Sequence, residues 1–219
     1  MSARDCIDIS PLISEKIGVF PGDVPFRRSV GLDFDRGDQL SLSSIQTTLH
    51  LGAHADAPNH YSPQGQGIES RSLSLYMGKC LVLHALPGSG RVSRERLHEK
   101  WRATIQWPAA RILVRTDSFP DPNHWNPDFH SLDPQLVREW AKDGVRLVGI
   151  DTPSVDPETS VNLETHQVLA EYDMAVLEGL DLSLVNEGLY SLMALPLRLK
   201  GADASPVRAV LFRDSNLFD

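Results

Sequence analysis

Three of the chain's eight histidines fall in the eleven residues "HLGAHADAPNH", His50 to His60, together with an aspartate. Imidazole and carboxylate are the groups that bind divalent metals and carry protons near neutral pH. His50 and His54 are four apart, the spacing of a zinc-protease helix, but that helix needs a Glu directly after its first His. Leu51 and Gly52 stand there instead, and Pro58 would break any continuation. The segment therefore reads as extended chain, in which alternate residues share a side. His50, Gly52, His54, Asp56, Pro58 and His60 fall on one parity, and each polar member is a candidate metal ligand or proton carrier. Ala53, Ala55 and Ala57 take the other parity, small enough to pack closely against a neighbouring layer.

Two imidazoles and a carboxylate with no thiolate nearby suit Zn²⁺ or Mn²⁺ better than a structural cysteine site. Three protein ligands leave a coordination position for water, whose pKa a bound metal lowers to about 7. Asp56 has two oxygens and can bridge to a second ion, for which His166 and Glu178 are the candidate further ligands. By spacing alone His166 reads more readily as a helix-surface residue. Glu178 is more telling, because it interrupts the apolar run "MAVLEGL" (174–180). A carboxylate in a buried strand is costly unless paired or bound to a cation.

The elements that must position these residues are legible in outline. "CLVLHAL" (80–86), "ARILVRT" (110–116), "RLVGID" (146–151) and "MAVLEGL" read as buried strands. "SRERLHEKW" (93–101) has helical periodicity with Ser93 as its N-cap. "DPQLVREWAKDG" (133–144) is a clearer helix: Asp133 caps it, Pro134 opens it and Gly144 ends it. "NLETHQVLAEYD" (162–173) is a third. Helix alternating with strand predicts an α/β fold, whereas the first 60 residues are strand-and-turn-like around the turn "FPGD" (20–23). No repeat or flexible linker divides the chain, so 1–219 is read as a single domain.

Composition excludes several functions. The net charge of −8 and scattered basic residues argue against a nucleic-acid partner. No apolar run approaches the roughly 20 residues that cross a bilayer, so no membrane role is expected. The opening "MSARDCIDISPL" lacks a secretory pattern, and Cys6 and Cys80 read as free, buried thiols of a cytoplasmic protein. GxSxG is absent, and "GSGR" (88–91) lacks a Walker lysine and serine.

The histidine segment resembles the signature of the cyclase-like metal-dependent hydrolases, and within them the bacterial kynurenine formamidases (arylformamidases). "HLGAHADAPNHY" follows the pattern His-x-Gly-Ala/Thr-His-x-Asp-Ala/Gly-Pro-x-His through Tyr61. The likeness extends over nearly the whole chain, through "FPGDVPF" (20–26), "GVRLVGIDTPSVDP" (144–157), "LEGL" (177–180) and "DASPVRAVL" (203–211). The resemblance implies a compact α/β domain with a mixed sheet in a barrel-like arrangement flanked by helices. It implies two Zn²⁺ per subunit, or Mn²⁺ in their place: one held by His50, His54 and Asp56, the other by Asp56, His166 and Glu178. It further implies His60 as proton donor and acceptor, Phe20 lining the substrate pocket, an aryl formamide as small-molecule substrate, and a homodimer or homotetramer. The implied reaction is hydrolysis of N-formyl-L-kynurenine to L-kynurenine and formate. Three positions depart from the family's usual residues: Phe20 for Trp, Leu51 for Thr and Val161 for Lys. They bear on which substrate fits, and the competing readings are an isatin-type cyclic amide hydrolase and a metal-binding module without turnover.

Overall fold

The computed structural model describes residues 6–103 and 107–218. Residues 1–5, part of the opening read as lacking a secretory pattern, lie outside them. In chain order the strands begin with β1 (Cys6–Asp8), β2 (Arg27–Leu32), β3 (Leu42–Gln46) and β4 (His54–Asp56), after which the short helix α1 (Pro58–Tyr61) follows. Next come β5 (Met77–His84), β6 (Arg91–Val92), α2 (Glu99–Arg102), β7 (Arg111–Arg115), β8 (Ser131–Leu132), α3 (Pro134–Lys142) and β9 (Leu147–Ile150). The chain ends through α4 (Glu164–Glu171), β10 (Ala175–Glu178), β11 (Gly188–Met193), β12 (Ala204–Pro206) and β13 (Val210–Phe212).

Nine strands form one mixed sheet, in the order β1-β13-β11-β5-β7-β9-β10-β4-β12, curled into a half-barrel with few flanking helices. The four strands read from sequence as buried apolar runs are its centre, and β5, β7, β9 and β10 pair in parallel. Antiparallel strands complete it on either side, with β4 laid between β10 and β12. Side chains alternate across the central strands. Cys80, Val82, Leu113, Leu147 and Leu177 enter one core, where Ala53, Ala55 and Ala57 also pack. Leu81, Leu83, Ile112, Val114, Val148 and Val176 enter a second core, covered by Leu136, Val137 and Trp140 of α3 and Val168 and Leu169 of α4.

Helix α3 forms as expected: the Asp133 carboxylate accepts from the Gln135 amide, Pro134 occupies the first turn, and Gly144 follows at φ +92°. The expected helix over 93–101 is absent. A single 3-10 turn covers Arg94–Arg96, Ser93 stands at its N-cap position but makes no capping bond with its side chain, and Leu97 and His98 are extended before α2 begins. Leu97 is fully buried, so its place in the core overrides the helical pattern around it. Cys80 is buried as expected, but Cys6 is exposed on the terminal strand β1; both thiols are free.

Candidate metal centre

The continuous extended segment expected over residues 50–60 shrinks to the three residues of β4. Gly52 adopts φ +54° before it, and Pro58 opens α1 after it, the position where its fixed φ favours a helix start. The predicted parity therefore holds only for His54 and Asp56, while His50 arrives by a turn and His60 by a helix. They converge nonetheless. His50 lies edge-on to His54, with ring centroids 5.2 Å apart, and tilts against His60 at 4.2 Å.

Strand β10 runs antiparallel to β4 with Glu178 opposite His54 and Val176 opposite Asp56, which puts all three polar side chains on the helix-covered face. Helix α4 brings His166 to them. His50 Nδ1 lies 3.0 Å from Asp56 Oδ1, and His54 Nε2 lies 3.5 Å from the same oxygen and 3.2 Å from Glu178 Oε2. His166 Nε2 lies 3.4 Å from Asp56 Oδ2 and 3.4 Å from Glu178 Oε1. Three groups of prospective ligand atoms result: His50–His54–Asp56 and Asp56–His166–Glu178, which share Asp56 and match the expected pair, and His50–His60–Asp203 at the more exposed edge.

The buried atoms at the centre test whether a cation fits. His54, Asp56, His166 and Glu178 are each no more than 2% exposed. Yet His54 Nε2, His166 Nε2 and both Asp56 carboxylate oxygens have no hydrogen-bond partner. Buried polar atoms are costly unless satisfied, so four that face one another without bonding call for something between them. The outward nitrogens, by contrast, are fixed. His54 Nδ1 donates to the Gly52 carbonyl at 2.8 Å, which leaves Nε2 as the lone-pair atom. His166 Nδ1 meets Asp156 Oδ2 at 2.8 Å, and that carboxylate also accepts from the amides of Thr165 and His166. Orienting partners of this kind are what ligand imidazoles normally have. The donor set fits a divalent metal.

Charge balance in the cluster follows from the same contacts. Burial pulls the His50 pKa down, but the facing carboxylates of Asp56 and Asp203 outweigh it and push it up to about 9. His166 is driven above its ordinary value in spite of burial by Asp156, Asp56 and Glu178. The Asp56 carboxyl, which burial would raise, is held well below the usual range by His166 and His50. His60 shifts the other way: burial lowers its pKa, so the ring is neutral at pH 7.

The cluster opens on a cavity of about 590 Å³, lined among others by Phe20, His60, Phe119, Trp125, Glu158 and Val161. Phe20 meets Trp125 edge-on at 5.3 Å, and the Trp125 indole N–H donates to Glu158 at 2.8 Å. All seven residues that the sequence singles out thus border one site. Asp156, Asp203 and Trp125 are not among those seven. Asp156 and Asp203 lie inside "DTPSVDP" and "DASPVRAVL", blocks that carry the resemblance without an assigned role.

Comparison with known proteins gives the lineage. A model of the cyclase family, described as "Putative cyclase", matches residues 7–157. The chain belongs to this family. Among curated members it is 44% identical over 204 residues to a kynurenine formamidase of Bordetella avium, covering 93% of this chain and 96% of that one. A solved structure, titled as a potential metal-dependent hydrolase with cyclase activity, superposes with TM-score 0.80 at 26% identity, covering 94% and 96% of the two chains. An isatin hydrolase of Labrenzia aggregata gives TM-score 0.77 at 20% identity over 94% and 92%, which establishes a common fold alone. No helix among the described residues is long and apolar enough to cross a membrane.

Proposed function

We propose that this cyclase-family protein hydrolyses N-formyl-L-kynurenine to L-kynurenine and formate, using two zinc ions per subunit. The observation that carries this reading is the five-residue cluster whose unpartnered buried atoms face one another at the floor of an aromatic-walled cavity. The name of the Bordetella relative supplies the substrate. His50, His54 and Asp56 hold one ion and Asp56, His166 and Glu178 the other; the same donors also accept Mn²⁺. When bound, a divalent ion there supplies a Lewis acid and acidifies water toward neutral pH.

The remaining steps fall to the chain's own side chains. His60, neutral at pH 7 and 33% exposed at the cavity, takes a proton from the attacking water and returns it to the departing anilide nitrogen. That nitrogen is a better leaving group than an alkyl amine, so modest acid assistance suffices. Phe20 and Trp125 offer ring faces and edges to the substrate's arene. Phe20 lacks an indole N–H, but Trp125 beside it carries one, already committed to Glu158.

The subunit works as part of a homodimer or homotetramer. The β2–β3 hairpin exposes Val30, Leu32, Leu42 and Ile45, and a lone two-stranded hairpin is marginal in water. A second copy covering it explains both facts. The free thiols suit the cytoplasm.

The test is metal analysis of the purified protein followed by turnover of N-formylkynurenine and isatin on the same sample. Two equivalents of zinc, formate release and no isatin opening are expected. Undiminished turnover in a demonstrably metal-free sample, or full metal with no hydrolysis of any aryl formamide, overturns the proposal. His60→Ala is expected to keep its metal and lose about 10²–10⁴-fold in kcat.

A further inference from the structure

Two of the ligand imidazoles have their outward nitrogens fixed, His54 by the Gly52 carbonyl and His166 by Asp156. His50 has a counterpart. Its Nδ1 faces Asp56, and its Nε2 lies 3.0 Å from Asp203 Oδ2. A carboxylate can only accept, so this contact keeps a ring proton on Nε2, and Nδ1 is the nitrogen that gives up its proton when it turns its lone pair to a metal. Asp203 faces a second ring as well. His60 presents Nε2 toward Asp56 Oδ2 at 4.0 Å and Nδ1 toward the same Asp203 oxygen at 3.9 Å. One carboxylate oxygen therefore stands behind both the metal-facing imidazole and the proton-carrying one.

The backbone holds Asp203 in that place by bonds independent of its side chain. The Ala57 amide donates to the Asp203 carbonyl at 2.8 Å, continuing the ladder in which Ala204 pairs with Asp56. The Ile68 amide donates to Ala202 O at 2.9 Å, and the Asn59 side chain to Gly201 O at 3.2 Å. Asn59 is His60's neighbour on α1, so the turn bearing Asp203 and the helix bearing His60 are tied together. Ile68 closes the far side of the same loop.

We propose that Asp203 is a positioning residue for this reaction: it holds His50 with Nδ1 turned to the metal centre and sets the orientation and charge seen by His60. The inference rests on the two-metal formamidase reading above. It assigns Asp203 two separable effects, one on metal affinity and one on kcat. The amide of Asp203→Asn keeps an oxygen that accepts from His50 Nε2–H but removes the charge facing His60. Asp203→Ala removes both.

The experiment measures zinc affinity by chelator competition, with no substrate present, and then kcat and KM at saturating zinc, for the wild type and both variants. Asp203→Ala is expected to bind zinc about 10–100-fold more weakly, the usual effect of losing an outer partner of a ligand histidine. Asp203→Asn is expected to stay within about threefold of wild-type affinity, while its kcat falls about tenfold with KM unchanged. Wild-type zinc affinity in the alanine variant overturns the link to His50. Full kcat in either variant at saturating zinc, or an effect confined to KM, overturns the link to His60. If the alanine variant fails to fold, the kcat and KM of the asparagine variant still decide the His60 link, and Asp203→Leu, close to aspartate in size but unable to accept from His50 Nε2–H, takes over the affinity test, where wild-type zinc affinity again overturns the His50 link. Failure of the wild type itself to bind zinc or release formate refutes the formamidase reading instead, so the two failures are distinct.

Discussion

A single methyl group that touches none of the proposed ligands is expected to weaken the metal centre. Gly179 directly follows Glu178 and adopts φ +64°. A Cβ built there would lie 2.1 Å from Gly52 O and 2.8 Å from Gly52 C. Side-chain carbons do not approach closer than 3.0 Å, so the Gly52 carbonyl must retreat by at least 3.0 − 2.1 = 0.9 Å. That carbonyl is the acceptor that holds His54 Nδ1 at 2.8 Å, and a shift of this size breaks the bond. His54 then loses the contact that aims Nε2 at Asp56 and Glu178. Gly179→Ala should therefore weaken metal binding about 10–100-fold, the range for loss of an outer partner. The same change should cost about 1–2 kcal/mol for the left-handed backbone and about 1–3 kcal/mol for overpacking. At about 2–4 °C per kcal/mol for a chain of this size, the melting point should fall by roughly 4–20 °C.

Gly144→Ala separates the two contributions. Gly144 sits at φ +92°, and nothing lies within 4 Å of the position its Cβ would take, so alanine there meets the backbone penalty without the clash. It should lower the melting temperature only by the backbone share and leave metal affinity unchanged. Thermal melts of both variants, with zinc affinity by chelator competition, give the comparison. If Gly179→Ala binds zinc as tightly as Gly144→Ala, the Gly52 carbonyl does not orient His54 and the reasoning fails.

Asp156→Asn should lower zinc affinity about 10–100-fold, because an amide can turn its NH₂ toward His166 Nδ1 and spoil the tautomer; wild-type affinity by chelator competition would count against it. Glu178→Gln should reduce zinc toward one equivalent per subunit, since it belongs to only one of the two ligand sets, and two equivalents by elemental analysis would make that residue structural. Zinc uptake at pH 7 should release protons, because a His50 pKa of about 9 means its ring is protonated there and must give up a proton to bind. The sign is that His50's contribution makes affinity rise with pH up to about 9; calorimetry in buffers of different ionisation heat reads the proton count, and a pH-independent affinity would contradict the contact with Asp56 and Asp203.

The central sheet is legible in the sequence because its strands are short apolar runs, and burial on both faces requires that composition. The pattern over 93–101 misleads because local periodicity cannot register that Leu97 is wanted in the core. Helix α4 is visible in its own residues, but its start is not. Leu163 enters at φ +49° with no side-chain cap of its own, and Asp156, nine residues before Thr165, supplies the capping carboxylate from earlier in the connection between β9 and the helix. No pattern within the helix announces a cap that comes from outside it.

The same contrast separates ligands from their partners. Glu178 stands on an apolar buried strand, where a carboxylate is conspicuous because it is expensive, and Asp56 is marked by the histidines that share its parity. Gly52, Asp156 and Asp203 lie in turns, where glycine and aspartate are ordinary and carry no such signal. What makes them matter is a distance that only the fold sets: 2.8 Å from Gly52 O to His54, 2.8 Å from Asp156 to His166, 3.0 Å from Asp203 to His50. Each of the three histidines in the ligand sets thus draws its metal-facing direction from a loop, while the carboxylates between them draw theirs from β4 and β10. A change in those loops can retune metal affinity without altering a ligand, which is why the Gly179, Asp156 and Asp203 variants probe the centre more selectively than replacement of a histidine would.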